Sequence, residues 1–276
     1  MAELPKDIEA VVALALDEDI GPGDITAVLV PADSRARATI ITRESAVLCG
    51  SAWVNEVYRQ LDTQITLRWR FADGDAIQAD DVICELAGPA RTLLTGERTA
   101  LNFLQCLSGT ATLTRHYVER VEGSGCRILD TRKTIPGLRS AQKFAVACGG
   151  GVNHRMGLYD AVLIKENHII AAAGIAAAVN QAKPTGKKIQ VEVETLKELQ
   201  QAIDAGADAV LLDNFSIESL RQAVSLARGR IILEASGGID ETTLGNIAAT
   251  GMDYISIGAL TKHVKAIDFS MRFTTP

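Results

Sequence analysis

The feature that most constrains this chain is a rhythm in its second half. Apolar runs end at Glu194, Asp213, Glu234 and Ile257, about 20 residues apart, with helical patterns between them at Leu196–Ala205, Ser216–Ala227 and Glu241–Thr250. Strands that recur with a helix between them pair in parallel, because the helix carries the chain back to the same end of the sheet. The predicted strands are Arg127–Asp130, Ala161–Lys165, Ile189–Glu194, Ala209–Asp213, Ile231–Glu234 and Tyr254–Ile257. They are fewer than the eight of a complete β/α barrel. Gly206 and Gly251 stand where a glycine ends a helix.

The first half follows another pattern. Ala36–Ser45, Gln64–Phe71 and Val82–Leu86 read as strands separated by turns, with Asp73-Gly74-Asp75 as one tight turn. A helix is expected over Lys6–Leu16, with Ile8, Val11, Val12 and Ala15 on one face. Successive strands with few helices between them suggest an antiparallel sheet. A long helical pattern then runs over Glu97–Val121, and Gly109 is where it would bend or split. The expected division is a first domain of 1–110 and a catalytic β/α domain of 111–261, with the tail 262–276 returning to the first.

Charge is uneven. The chain is −6 overall, yet residues 127–168 carry seven Lys/Arg against three Asp/Glu, a net +4 that leaves −10 elsewhere. With 4% aromatic residues and an acidic balance, a nucleic-acid binder is not expected. The longest apolar run after the first helix, Ile169–Val179, is shorter than the roughly 20 residues that cross a bilayer, and no basic leader precedes the early apolar run. Five scattered cysteines (Cys49, Cys84, Cys106, Cys126, Cys148) without a CxxC suggest reduced thiols and a cytoplasmic protein.

In parallel β/α folds, functional side chains collect at the C-terminal ends of strands. Here those ends read Asp130-Thr131-Arg132-Lys133, Lys165-Glu166-Asn167-His168, Glu194, Asp213-Asn214, Glu234-Ala235-Ser236-Gly237-Gly238 and Ser256-Ile257-Gly258-Ala259. The early ends deliver cations, the middle ones carboxylates and the last two small residues. Glycines on consecutive strand ends suit a phosphate site, where backbone N–H groups approach oxygens closely. Glu194 and Asp213, on adjacent strands, could share Mg2+ or bind sugar hydroxyls. No Ser-His-Asp or Cys-His triad, HExxH or Walker loop is present.

Each feature has a plainer reading. Arg132 and Lys133 suit a solvated loop, Lys165 a strand-end ion pair, and His116, His154, His168 and His263 hydrogen-bonded structural histidines. Gly149–Gly151 suits a flexible loop, and Glu234 a partner for a buried cation. A Schiff-base aldolase using Lys165, or a non-enzymatic phosphate-binding module, remains open on these residues alone.

Longer stretches narrow the choice. "LLTGERTALNFLQCLSGTATLT", "DTRKTIPGLRSAQKFAVACGGGVNHRMGLYDAVLIKENHI", "VEVET", "LLDNF", "EASGGI" and "IGALTKHVKAIDFSMRF", with the early "DEDIGPGDIT", closely resemble the quinolinate phosphoribosyltransferases, also called nicotinate-nucleotide pyrophosphorylases (carboxylating). The resemblance covers nearly the whole chain. It implies an N-terminal α/β sandwich with an antiparallel sheet and an incomplete β/α barrel, in a homodimer whose subunits share active sites. The implied reaction joins quinolinate to phosphoribosyl pyrophosphate with Mg2+, releasing CO2 and pyrophosphate and leaving nicotinate mononucleotide for NAD synthesis.

By position, the resemblance assigns quinolinate to Arg132, His154, Arg155 and Lys165, with Arg98 reaching in from the other subunit. Lys133 would sit between quinolinate and pyrophosphate. Glu194 and Asp213 would hold ribose hydroxyls and the metal, and Ser236, Gly237 and Gly258 the 5′-phosphate. Lys133, Lys165, Glu194 and Asp213 are the implied catalytic residues. The chain departs from many relatives at Leu260-Thr261-Lys262-His263, where they read Leu-Thr-His-Ser. No histidine role is carried over there, and Lys262 becomes the candidate phosphate contact. Within the same family, nicotinate or another small carboxylated ring remains an alternative acceptor.

Overall fold

The computed structural model describes residues 3–274. Up to residue 120 the elements are α1 (Ile8–Ile20), β1 (Arg35–Thr42), β2 (Ala46–Val47), α2 (Ser51–Leu61), β3 (Thr66–Trp69), β4 (Ala76–Ile77), β5 (Val82–Pro89) and α3 (Ala90–Arg120). Then come β6 (Arg127–Leu129), α4 (Arg139–Cys148), β7 (Val162–Ile164), α5 (Glu166–Ala171), α6 (Ile175–Ala182), β8 (Ile189–Val193) and α7 (Leu196–Ala205). The last are β9 (Ala209–Asp213), α8 (Ile217–Ala227), β10 (Ile232–Ser236), α9 (Leu244–Ala248), β11 (Tyr254–Ser256), α10 (Ala259–Lys262) and β12 (Phe269–Thr274). They form two compact units. One takes residues up to 115, 134–150 and 259 onward; the other takes 116–133 and 151–258.

The first unit is built on an antiparallel sheet of order β12-β1-β5-β3. Alternate residues of β1, Ala36, Ala38 and Ile40, are buried on one face. In the same core lie Trp53, Val54, Val57 and Tyr58 of α2, at helical spacing, and Leu93, Leu101 and Leu104 of α3. Helix α2 starts where the Asp73 carboxylate accepts the N–H groups of Gly50 and Ser51, both at 3.1 Å, so the predicted Asp73 turn also serves as a helix cap. Burial pushes the Asp73 carboxyl up, against those N–H bonds.

Helix α3 begins earlier than expected and is not interrupted at Gly109. A Cβ there would lie 2.1 Å from the Lys265 carbonyl oxygen, so the glycine admits a close pass of the C-terminal segment. The adjoining Ile267 N–H donates to the Gln105 carbonyl at 3.2 Å. Helix α1 likewise runs to Ile20, past the expected end at Leu16.

The second unit holds a parallel six-stranded sheet of order β6-β11-β10-β9-β8-β7. Val152 forms one further parallel bridge, to Leu129 on the outer side of β6. Helix α7 begins in a reciprocal cap, Thr195 accepting the Glu198 N–H and Glu198 accepting that of Thr195, and ends at Gly206 with φ +77°. Strand β10 runs two residues beyond its expected end, bringing Ser236 into register with Asp213.

The sheet is strongly curled. Laid flat, Val152 and β8 would be five strand spacings apart, about 24 Å at 4.8 Å each. Yet His154, two residues beyond Val152, places Nε2 2.9 Å from Gln190 Oε1 on β8. This is the incomplete barrel that the strand count implies. Among the described residues, no helix is long and apolar enough to cross a membrane.

Candidate active site

Because all strands of the second unit run the same way, their C-terminal ends share one rim. Following the sheet order, the rim presents Arg132 and Lys133 after β6, Gly258 after β11, Ser236 and Gly237 at the end of β10, and Asp213 on β9. Glu194 follows β8 and Lys165 follows β7. Cations therefore occupy the two edges, with small residues and carboxylates between them.

His154 and Arg155 enter from beside β6. The fully buried Asp130 accepts the His154 N–H at 2.8 Å, fixing the segment after Val152. Arg155 Nη1 donates to the Ala161 carbonyl at 3.2 Å. The pKa of Arg155 is lowered by burial first and then by the positive charge of Arg132, with Asp160 opposing. Arg132 itself has a buried Nε with no hydrogen-bond partner among the described residues. Two like charges near each other, one with an unmet buried donor, are chemically suited to an anion.

The glycines act through close packing. At Gly258 a Cβ would be 3.0 Å from Lys133 Cδ and 3.8 Å from its Nζ, so a bare backbone lets the lysine lie across the end of β11. At Gly237, with φ +98°, a Cβ would come 2.1 Å from Asn214 Oδ1. Asn214 joins the ends of β9 and β10: its N–H donates to the Ser236 carbonyl at 2.9 Å, and its Nδ2 to Asp213 Oδ2 at 3.0 Å.

At the far edge, Lys165 Nζ lies 2.7 Å from Glu192 Oε2. Gln190, Glu192 and Glu194 share one face by the two-residue period, so sequence alone leaves open which acid meets the lysine. Glu194 lies one residue beyond β8, exposed, with its N–H taken by Glu198 Oε2 at 2.9 Å. The ion-pairing role thus goes to Glu192, which the sequence reading passed over. His168 matches its plainer reading: Nδ1 accepts the Lys165 N–H at 3.0 Å at the start of α5.

Below the rim, Glu234 is 3% exposed. Burial raises its pKa, but hydrogen bonding from His154 and from the Gln190 amide prevails, holding the carboxyl below its ordinary value. Gln190 and Glu192 are the members of this neighbourhood that strand-end reading missed. The alternation of polar residues inside β8 was the one available signal. Arg98 and Lys262 belong to the other unit, where both are exposed, on α3 and at the end of α10.

A resident metal cage is not apparent, since no three His, Cys, Asp or Glu side chains converge among the described residues. Asp213, next to the rim's glycines, and Glu194 instead fit an ion carried by a phosphate substrate, a mode that needs only one or two protein carboxylates.

Two family models match the chain in succession. The N-terminal domain of quinolinate phosphoribosyl transferase matches residues 24–108, and its C-terminal domain residues 110–272. The Bacillus subtilis "probable nicotinate-nucleotide pyrophosphorylase [carboxylating]" is 42% identical over 260 residues, 93% of this chain and 90% of its own. The solved nicotinate-nucleotide pyrophosphorylase of Francisella tularensis superposes with TM-score 0.96 at 53% identity, covering 99% of this chain and 98% of its own. That of Ehrlichia chaffeensis gives TM-score 0.92 at 34% identity, with 99% and 100% covered. With the motif order, both domains and the curled sheet in agreement, the chain belongs to the quinolinate phosphoribosyl transferase family.

Proposed function

We infer that this protein transfers the phosphoribosyl group of phosphoribosyl pyrophosphate to quinolinate with loss of CO2, giving nicotinate mononucleotide and pyrophosphate, a step of NAD synthesis. The observation that carries this reading is the buried, unpartnered Nε of Arg132, with the like charge of Arg155 nearby, which suits a compact dianion. Family membership supplies the co-substrate.

The rim divides the work. The ends of β10 and β11, at Ser236, Gly237 and Gly258, take the 5′-phosphate, and Asp213 takes the ribose beside them. Lys133, whose side chain lies over Gly258, would sit between quinolinate and the departing pyrophosphate. The pyridine nitrogen attacks the anomeric carbon with its own lone pair, so no general base is needed. Holding nucleophile and leaving group in line, and neutralising the charge that develops, are the main demands. After attack the ring nitrogen is cationic. The bond from the ring carbon to the adjacent carboxylate breaks, its electron pair stays on that carbon, CO2 leaves, and a proton from solvent completes the product.

Glu194 and Asp213 would contribute the protein's oxygens to Mg2+. Bound there, the ion supplies charge neutralisation at the pyrophosphate. For Lys165, the ion pair with Glu192 and its half-exposed position offer none of the desolvation a Schiff-base lysine needs.

We further propose a homodimer in the cytoplasm. In the first unit Leu14, Ile25, Val28 and Leu29 are 72–88% exposed, large apolar side chains that a second copy could cover, and Arg98 is exposed on α3. Radiolabelled CO2 release from carboxyl-labelled quinolinate, with and without phosphoribosyl pyrophosphate, tests the function. Release is expected only with both substrates, and release from quinolinate alone would overturn the reading.

A further inference from the structure

Glu234 and Gln190 stand below the rim, where substrate groups have no need to reach, yet they open a continuous chain of polar contacts. An ionised carboxylate only accepts hydrogen bonds. Glu234 Oε2 takes the Gln190 Nε2 donor at 2.7 Å. That choice turns Gln190 Oε1 outward, where it lies 2.9 Å from His154 Nε2 and acts as an acceptor. The ring hydrogen must then sit on Nε2, also 3.4 Å from Glu234 Oε2, which leaves Nδ1 as an acceptor. Nδ1 receives the Arg155 N–H at 2.7 Å. One buried carboxylate thereby fixes the direction of every bond in a chain that ends at the backbone of an anion-binding arginine.

Both ring nitrogens of His154 are engaged, so the ring cannot shuttle a proton without giving up a partner. Its chemistry here is orientation. Glu234 Oε1 has no hydrogen-bond partner among the described residues, and a buried carboxylate with one unmet oxygen calls for a reason beyond packing.

We propose that Glu234 and Gln190 are positioning residues that, through this one-way chain, hold His154 and Arg155 in the orientation that receives a carboxylate of quinolinate. The inference rests on the functional reading above and adds two residues to the binding of its acceptor. It predicts a split between substrates, because the chain ends at the carboxylate-binding pair and touches neither the glycine loops nor Asp213.

Two variants and two readouts test it. In Gln190→Leu the KM for quinolinate is expected to rise at least about tenfold, equivalent to about 1.4 kcal/mol, while the KM for phosphoribosyl pyrophosphate stays within about twofold. Glu234→Gln keeps size and shape but lets the amide at 190 face either way, so it should raise the same KM by a smaller factor. It also serves if Gln190→Leu folds poorly. Long-range proton–nitrogen NMR should show the Nε2–H form of His154 in the wild type and a loss of that preference in both variants. A wild-type ring in the Nδ1–H form, equal rises in both KM values, or activity lost only in step with thermal stability would overturn the inference while the functional reading stands. Absence of quinolinate turnover by the wild type would overturn both.

Discussion

Lys165 Nζ and Glu192 Oε2 are 2.7 Å apart across neighbouring strands β7 and β8. Both side chains keep some solvent, so the pair itself contributes no more than about 1 kcal/mol to stability. Lys165→Ala should therefore melt within a few degrees of wild type and yet lose at least about a hundredfold in kcat/KM. Glu192→Gln should leave the fold intact and reduce turnover by freeing Lys165, whereas Glu194→Gln should instead raise the Mg2+ concentration needed for half-maximal rate. Steady-state kinetics beside calorimetry checks both, and wild-type turnover in Glu192→Gln would remove Glu192 from the positioning of Lys165.

Acceptor choice should follow charge count. Nicotinic acid offers one carboxylate where quinolinate offers two, leaving one of the site's cations unpaired, at a cost of about 2–5 kcal/mol. Preference for quinolinate should be at least about tenfold in kcat/KM, each tenfold being about 1.4 kcal/mol. Competition between the two acids measures it, and equal use would favour a different acceptor.

The Arg132–Arg155 repulsion makes a ligand a stabiliser. Quinolinate at a hundred times its Kd should add about 2.7 kcal/mol to unfolding and raise Tm accordingly. Arg132→Leu relieves the repulsion, so its ligand-free Tm should equal or exceed wild type, while most of the quinolinate-induced rise disappears. Differential scanning fluorimetry with a quinolinate titration reads both effects.

Removal of divalent ions should abolish CO2 release from quinolinate, and added Mg2+ should restore it. Asp213→Asn should raise the Mg2+ concentration needed for half-maximal rate. Full turnover in excess chelator would remove the metal from the mechanism.

Mixing two inactive variants tests the shared site. If Arg98 serves the partner's barrel, a hybrid of Arg98→Ala and Lys165→Ala subunits carries both defects in one site and none in the other. Random exchange makes half the dimers hybrid, so activity should return to about a quarter of wild type. Exchange verified by mass spectrometry with no recovery would place Arg98 elsewhere.

Periodicity made the parallel strands legible, because each apolar run had to repeat for the sheet to be covered, and strand ends then located Arg132, Lys165 and Asp213. It could not distinguish Glu192 from Glu194, which differ by one period and so share a face. Nor could it find the contact between His154 and Gln190, since alternation reveals a face and not the partner across a curled sheet. Gly109 misled for a related reason. A glycine costs a helix about 1 kcal/mol in isolation, but here the Lys265 backbone occupies the space a side chain would need. The packing of 134–150 with the first unit had no local signature at all.

Strand β12 carries a temporal consequence. It pairs with β1 along Arg37–Thr42, against Thr274–Phe269, so one sheet joins residues more than 220 positions apart. During synthesis β1 emerges early and must wait, with one edge bare, until β12, more than 220 residues later, has been made. The unit that is translated first is therefore completed last. Arrest or proteolysis late in the chain leaves behind an open-edged sheet, a species suited to sticking to its own kind.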